Sequence, residues 1–310
     1  MEGAAAPPVG RLGFWAGMVW GAAGSYPWCT MTGLTQYVLD VSEAVLLAVW
    51  VAVLIMAMAL FQRRDRAPLR PEWLDARCRT GAPTGLALSA AVLTLATSAW
   101  SLTYVTYSVV HHTGLAHDDP RVLAFVLGHR TPWLTGLARA LTWFGSSIVL
   151  WPVVVIAGLG LWRWRRRWLP AVLPALALAG AWAGALLVKG LANRPRPPAA
   201  DRLTVVHGWS YPSQHAAQAL ATWGMLALML MAGRSAWARV LLAACAALIA
   251  FVVGITRIYL GAHWMTDVLG GWALAGAWDS LLIICYLLAQ QMAAASPGRQ
   301  ARAAVYRKAA

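Results

Sequence analysis

Long apolar runs dominate the hydrophobic pattern of this chain, uncharged except for Asp279 in the last of them, and most stop at an arginine, a lysine or a histidine. Runs that are apolar throughout predict helices surrounded by hydrocarbon or by other helices. A helix that crosses a bilayer needs about 20 apolar residues. Seven runs approach or reach that length, and they cover residues 44–61, 85–110, 141–162, 168–188, 216–232, 240–256 and 268–290.

The composition agrees with this pattern. Of the 310 residues, 60% are hydrophobic and only 12% are charged, with a mean hydropathy of +0.60. Soluble domains carry about 25% charged residues. The sequence shows neither an internal repeat nor the alternation of β-strands. It therefore predicts an all-α, polytopic membrane helix bundle.

The chain divides at a basic loop, residues 62–83. We expect residues 1–83 to form an N-terminal membrane anchor segment followed by this loop on the cytoplasmic side. The anchor has one transmembrane helix, or two if the weaker, Pro27-containing run at 14–31 also spans. No cleavable signal peptide is evident, so the first strong run is predicted to remain. Residues 84–290 then hold a six-helix core, and residues 291–310 form a basic cytoplasmic tail.

Basic residues gather in alternate loops, which lie on one side of a helix bundle. They occur at 62–83, 163–167, 234–239 and in the tail. The positive-inside rule makes that side cytoplasmic, so we expect a multi-pass protein of the plasma or inner membrane. The net charge of +14 could also suggest nucleic acid. That interpretation needs one continuous basic face, which the pattern lacks.

Three polar segments interrupt the apolar pattern on the opposite, extracytoplasmic side: residues 189–197, 211–215 and 256–267. Their basic residues include Lys189, Arg196 and Arg257, which lie on the side where the rule does not collect cations. Such an excess of positive charge predicts an anionic ligand. A phosphate fits, because arginine can donate two parallel bonds to its oxygens and lysine supplies a point charge.

Two histidines and an aspartate lie in the same segments. His263 and Asp267 are four residues apart, so a helix that starts near His263 places them on one face. A carboxylate on one ring nitrogen leaves the other free as a nucleophile or base. His215 is then available to protonate a leaving oxygen. These groups suffice for phosphoryl transfer without a metal or another cofactor.

The order Lys-x6-Arg-Pro, Pro-Ser-x-His, Arg-x5-His-x3-Asp over residues 189–267 resembles the type 2 phosphatidic acid phosphatase (PAP2) superfamily. The resemblance implies a six-helix membrane core over 84–290 and a metal-independent lipid phosphatase similar to bacterial undecaprenyl-pyrophosphate phosphatases. It implies that His263 forms a phosphohistidine, that Asp267 orients it and that His215 is the acid. The implied phosphate-binding residues are Lys189, Arg196, Ser213, Gln214 and Arg257.

Two positions depart from the pattern of this family. Gln214 stands where the family usually has glycine, which lets a backbone N–H approach a phosphate closely. A helical backbone at Gln214 would still present that N–H. Thr256 replaces the usual serine and keeps its hydroxyl.

The substrate and the reaction leave alternatives. An isoprenyl, undecaprenyl-type pyrophosphate is the best substrate hypothesis because the site faces the side where that carrier is recycled. Phosphatidic acid and phosphatidylglycerol phosphate are the other candidates. The same scaffold could also act as a lipid phosphotransferase, or as a lipid transporter or scaffold without enzymatic activity. Phosphorylated and membrane lipids are the expected partners, and the sequence gives no oligomeric state.

Three further expectations concern residues outside the motifs. Residues 111–140 should form an outer loop with a short interfacial helix at 131–140. Asp118 and Asp119 should form a solvated turn before Pro120. Asp279, twelve residues after Asp267 and thus deep in the last run, should make a polar contact between helices.

Overall fold

The structure is a computed structural model that describes residues 85–295. Within this range the chain forms eight α-helices and no β-strand. The helices are α1 (Leu86–His111), α2 (Leu115–Gly128), α3 (Pro132–Leu141), α4 (Ser147–Arg165), α5 (Trp168–Ala192), α6 (Gln214–Met231), α7 (Ala236–Tyr259) and α8 (Met265–Ala295). The predicted runs at 14–31 and 44–61, the loop at 62–83 and residues 296–310 lie outside the described residues.

The six long helices of this range form one bundle, which confirms the predicted all-α fold. Helix α6 lies at its centre and packs against α4, α5, α7 and α8. Helix α8 also packs against α1 and α5. Since α4 to α8 follow one another through short turns or a single longer segment, the ends of α5 and α7 and the starts of α6 and α8 lie at the same end of the bundle.

Five of these helices, α1, α4, α5, α7 and α8, are long and apolar enough to cross a membrane. Their outward side chains, such as Ile156, Leu187 and Leu248, are exposed apolar groups. The chain is thus a multi-pass membrane protein. Helix α6 was also predicted to span but falls outside this set, because its first turns carry Gln214, His215 and Gln218.

Small residues let the central helices approach closely. Ala177, Ala181 and Ala185 recur every four residues along α5, and all three are fully buried. Ala217 and Ala221 of α6 are fully buried in the same manner, and α5 and α6 share one core cluster. Small side chains at such spacing bring helix backbones together, which is the usual device in membrane bundles.

The segment between α1 and α4 differs from the prediction. A short helix was expected at 131–140 and is present as α3, but the rest of the expected loop also contains α2. Pro120 and the charges around it suggested a loop, whereas Ala116 and Leu123 form a buried face of α2.

The start of α4 also differs. The apolar run beginning at 141 was predicted to be one helix, yet residues Thr142–Gly145 form a 3-10 turn and α4 begins only at Ser147. A Cβ at Gly145 would lie 2.8 Å from the carbonyl oxygen of His215. The turn therefore seats against the start of α6, which a continuous helix from 141 would not allow.

The contact between α5 and α8 gives a test of this packing. A Cβ at Gly180 would lie 2.0 Å from the indole of Trp278. We expect Gly180→Ala to destabilise the protein by about 1–3 kcal/mol through overpacking. The control is Gly160→Ala in α4, where a Cβ meets nothing within 4 Å and helix propensity favours alanine. Thermal unfolding in detergent micelles measures both, and equal midpoints would contradict the packing.

Candidate active site

The three polar segments meet at one end of the bundle. Lys189 lies in the last turn of α5, and Arg196 follows it in the connection to α6. His215 lies in the first turn of α6, Arg257 in the last turn of α7, and His263 directly before α8. Four of these residues therefore lie at or next to the end of a helix, and Arg196 lies in the connection between α5 and α6.

His263 is held from both sides of its ring. Its Nδ1 lies 3.2 Å from Oδ2 of Asp267, and Nη1 of Arg196 lies 3.2 Å from its Nε2. Because the guanidinium can only donate, Nε2 is the acceptor and Nδ1 carries the proton that Asp267 accepts. Burial lowers the pKa of His263 to about 3, although Asp267 opposes this shift. The ring is therefore neutral at ordinary pH, with its Nε2 lone pair facing the cations.

The Asp267 carboxylate is completely buried and accepts from four groups. Oδ2 accepts from His263, from the Ser210 hydroxyl and from the backbone N–H of Trp264 at 2.9 Å. Oδ1 accepts from Nη1 of Arg194 at 2.7 Å. The sequence analysis missed Ser210 and Arg194. The repeated Arg-Pro of residues 194–197 was the available signal for Arg194.

Backbone carbonyls of one loop hold two of the predicted cations. The Lys189 ammonium donates to the carbonyl oxygens of Trp209 and Ser210, at 2.9 and 3.0 Å. Arg196 donates through Nε to Gly208 at 2.9 Å and through Nη2 to His207 at 3.1 Å. The loop 207–210 thereby fixes both cations beside His263 without neutralising them.

Arg257 is buried and incompletely paired. Its Nη1 donates to the hydroxyl of Thr142 at 3.0 Å, in the 3-10 turn before α4. Its Nε has no hydrogen-bond partner among the described residues. A buried donor without a partner is costly unless a ligand or water satisfies it. Arg257 is thus a prepared donor for an anion.

The start of α6 supplies the second motif. The Ser213 hydroxyl caps the helix by accepting from the N–H of Ala216 at 3.5 Å, and it is fully buried. Gln214 is the first helical residue, so its backbone is helical as the prediction required. The N–H groups of this first turn lack intrahelical acceptors and favour an anion. His215 is half-buried, and the charges of Arg257 and Arg196 act on it.

Two adjacent glycines let α8 reach the second motif. A Cβ at Gly270 would lie 2.4 Å from the ring of Tyr211, and one at Gly271 would lie 2.6 Å from the carbonyl oxygen of Ser213. The backbone N–H of Ser213 donates to the carbonyl oxygen of Asp267 at 2.8 Å. The second and third motifs are therefore joined through their backbones.

Asp119 corrects the sequence analysis. Only Asp118 is solvated, where it accepts from Arg121 at 3.0 Å. Asp119 is buried and pairs with Nη2 of Arg194 at 2.5 Å. Successive residues of a helix point about 100° apart, so α2 turns one aspartate outward and the other inward. Burial raises the pKa of Asp119, while Arg194 and Thr266 oppose that rise.

Asp279 lies in α8, away from these segments. Its carboxylate faces Gly224 of α6, and its Oδ1 has no hydrogen-bond partner within the described range. The expected polar contact between helices is therefore not made through that oxygen. Residues 85–295 also contain no group of three or more His, Cys, Asp or Glu side chains placed to hold a metal ion.

Comparisons with known proteins identify the family of this chain. Residues 168–291, which contain all three motifs, match the PAP2 superfamily. The chain is 30% identical over 171 residues to phosphatidylglycerophosphatase B of Bacillus subtilis, covering 54% of this chain and 82% of that protein.

Two solved structures are similar. One is the crystal structure of a transmembrane PAP2-type phosphatidylglycerolphosphate phosphatase from Bacillus subtilis. It matches with a TM-score of 0.57 and 26% identity over 62% of this chain and 95% of that chain. The other is Aquifex aeolicus LpxE, with a TM-score of 0.43 and 26% identity over 54% of this chain and 95% of that chain. The chain therefore belongs to the PAP2 superfamily, as a multi-pass membrane phosphatase.

Proposed function

We propose that this protein hydrolyses the phosphate or diphosphate group of a membrane lipid through a covalent phosphohistidine at His263. One observation carries the proposal. The His263 ring is buried, its Nδ1 is engaged by Asp267, and its Nε2 faces Arg196. A neutral imidazole held in this way is a nucleophile aimed at the place where a cation-bound phosphate would lie.

In the attack, the hydrogen bond from Arg196 to His263 would be replaced by one from Arg196 to the phosphate. Arg196 donates to Nε2 of His263 in the absence of substrate. A phosphate oxygen would take over that donor and bring phosphorus in line with the freed lone pair. The new N–P bond forms as the bond from phosphorus to the leaving oxygen breaks, and that oxygen departs on the lipid alcohol of a monoester or on the lipid monophosphate of a diphosphate. Asp267 stabilises the positive charge that develops on the ring.

His215 is proposed as the acid and base of the cycle. It would give its proton to the leaving lipid oxygen. It would then accept a proton from the water that attacks the phosphohistidine, releasing inorganic phosphate and regenerating His263. Burial, and then the charges of Arg257 and Arg196, disfavour a proton on His215 in the free protein. A bound phosphate dianion would offset the charge of the two arginines.

The proposed phosphate-binding groups are Lys189, Arg196, Arg257 and the first turn of α6. The unpartnered Nε of Arg257 is the strongest support, because a phosphate oxygen would satisfy it. Gln214 would contribute through its backbone N–H at the helix start. The hydroxyl of Ser213 accepts the cap bond from Ala216 through a lone pair, so its proton remains available to donate to a phosphate oxygen, and Ser213 is also a proposed phosphate-binding residue.

The proposed orientation places this site on the extracytoplasmic face of the plasma or inner membrane. The bundle end opposite the site carries Arg165, which donates to the carbonyl oxygens of Met229 and Ala232, and Arg234, which lies over Trp164. The positive-inside rule supports a cytoplasmic location for that arginine-rich end. We retain the proposed division into residues 1–83, 84–290 and 291–310.

An isoprenyl diphosphate is the proposed substrate, on the argument that an extracytoplasmic site can recycle such a carrier. The relative named phosphatidylglycerophosphatase B supports phosphatidylglycerol phosphate as the second candidate. Both present a terminal phosphoryl group to the cations, carried on a second phosphate in the isoprenyl diphosphate and on glycerol in phosphatidylglycerol phosphate.

A phosphate-release panel tests the proposed function. The purified full chain in detergent micelles receives isoprenyl diphosphate, phosphatidylglycerol phosphate or phosphatidic acid, each alone and with or without a chelator. We expect release of inorganic phosphate, fastest from isoprenyl diphosphate and unaffected by the chelator. His263→Ala should lower kcat at least about a thousandfold. His129→Ala, an exposed histidine outside the site, is the matched control and should keep full activity.

Each contrary result has a defined meaning. Loss of activity with the chelator, or full activity in His263→Ala, would contradict the histidine mechanism. Dephosphorylation of the lipid that requires a second lipid or sugar, with the phosphoryl group recovered on that acceptor and not as inorganic phosphate, would instead identify a phosphotransferase.

The protonation state of His263 gives a separate prediction. Its pKa of about 3 lies below the ordinary value of 6.5, so lowering the pH from 8 to 5 should leave the ring neutral. Nitrogen-15 NMR of histidine-labelled protein should show a protonated Nδ1 and an unprotonated Nε2 throughout that range. The His263→Ala spectrum assigns the signals. A His263 titration near pH 6.5 in the free protein would contradict the buried geometry.

A further inference from the structure

We propose that Asp119 of α2 is a positioning residue for His263, acting through Arg194 and Thr266 on the Asp267 carboxylate. The proposal rests on the proposed function, since it concerns how His263 is held for attack. It assigns α2, which lies outside the three motifs, a role in positioning the groups of the site.

Arg194 lies between two buried carboxylates. Its Nη1 donates to Oδ1 of Asp267 at 2.7 Å, and its Nη2 donates to Oδ2 of Asp119 at 2.5 Å. Arg194 itself is only 7% exposed, and Asp119 only 1%. One guanidinium therefore ties α2 to the start of α8, at the residue that holds His263.

Thr266 provides a second connection between the same elements. Its backbone N–H donates to Oδ1 of Asp119 at 3.0 Å, and its hydroxyl donates to Oδ2. Nη1 of Arg194 also donates to that hydroxyl, at 2.7 Å. The N–H of Thr266 belongs to the first turn of α8 and has no intrahelical acceptor. Asp119 thus caps α8 from another helix and fixes the turn that precedes Asp267.

The charges explain why a carboxylate is needed at position 119. Arg194 lies two residues before Arg196, yet its guanidinium is turned away from the phosphate site by its two carboxylate partners. If Asp119 lost its charge, Asp267 would become the sole charged partner of Arg194. The guanidinium would then draw the carboxylate of Asp267 away from Nδ1 of His263. The expected defect is in the chemical step, not in phosphate binding.

The key comparison is between two adjacent aspartates. Asp119→Asn removes the buried charge, and Asp118→Asn removes a charge that is half-exposed and paired only with surface groups. Both variants are measured in the purified full chain with the best lipid substrate, for kcat, KM and inhibition by inorganic phosphate. We expect Asp119→Asn to lower kcat about ten- to a hundredfold, the range found when an outer partner of a catalytic group is lost. KM and phosphate inhibition should stay within about threefold, and Asp118→Asn should match the native chain.

A second pair of variants keeps the proposal testable if Asp119→Asn misfolds. Thr266→Val removes the hydroxyl but keeps the shape and the backbone N–H, whereas Thr266→Ser keeps the hydroxyl. We expect Thr266→Val to lower kcat about three- to tenfold and Thr266→Ser to retain activity, an effect smaller than that of a lost charge. Retention of full kcat by both Asp119→Asn and Thr266→Val would overturn the proposal. So would a loss in Asp119→Asn that only follows the fraction of folded protein.

A spectroscopic readout separates this proposal from the proposed function. An inactive native chain would refute the phosphatase assignment without deciding the role of Asp119. In that case the nitrogen-15 signals of His263 decide: Asp119→Asn should mix the two neutral tautomers, because the acceptor at Nδ1 is weakened, while Asp118→Asn should not. Unchanged His263 signals in Asp119→Asn would refute the positioning role.

Discussion

A fully buried carboxylate, Asp267, is the constraint on which the rest of the site depends. A charge without water must be surrounded by donors, and the donors come from separate parts of the chain: the His263 ring, the Ser210 hydroxyl and the Arg194 guanidinium. Each of these groups also links the carboxylate to another part of the site. Through them the carboxylate fixes the His263 ring, the loop that holds the cations and the contact with α2.

The membrane explains why the site lies where it does. Polar backbone and charged side chains are costly in hydrocarbon, so the chemistry collects at one end of the bundle, where helices stop. Alanines such as Ala181 and Ala217 bring the central helices together, and Gly270 and Gly271 let α8 approach the start of α6. Because the helices pack closely, the functional groups at their ends also lie close together.

The predictable part of the protein follows from local rules. The apolar runs predicted the long helices, and the motif spacing predicted His263, Asp267 and the three cations. These predictions were possible because each signal lies within one short segment. The contacts that the sequence did not reveal join segments far apart. Asp119 pairs with Arg194 across 75 positions, and Thr142 with Arg257 across 115. The residues around Asp119 in the sequence do not distinguish it from Asp118. Only the rotation between successive residues of α2 makes Asp118 a surface charge and Asp119 a buried partner.

The central claim is that His263 becomes covalently bonded to phosphorus, and capture of that intermediate tests it most directly. The purified chain is mixed with a lipid substrate labelled with phosphorus-32, quenched in alkali within milliseconds and digested for mass spectrometry. We expect a phosphoryl group that is located on His263 and that is stable in alkali and labile in acid, as a phosphoramidate is. Turnover with a phosphoryl group on another residue, or rapid turnover without any phosphoenzyme in the quenched samples, would contradict it.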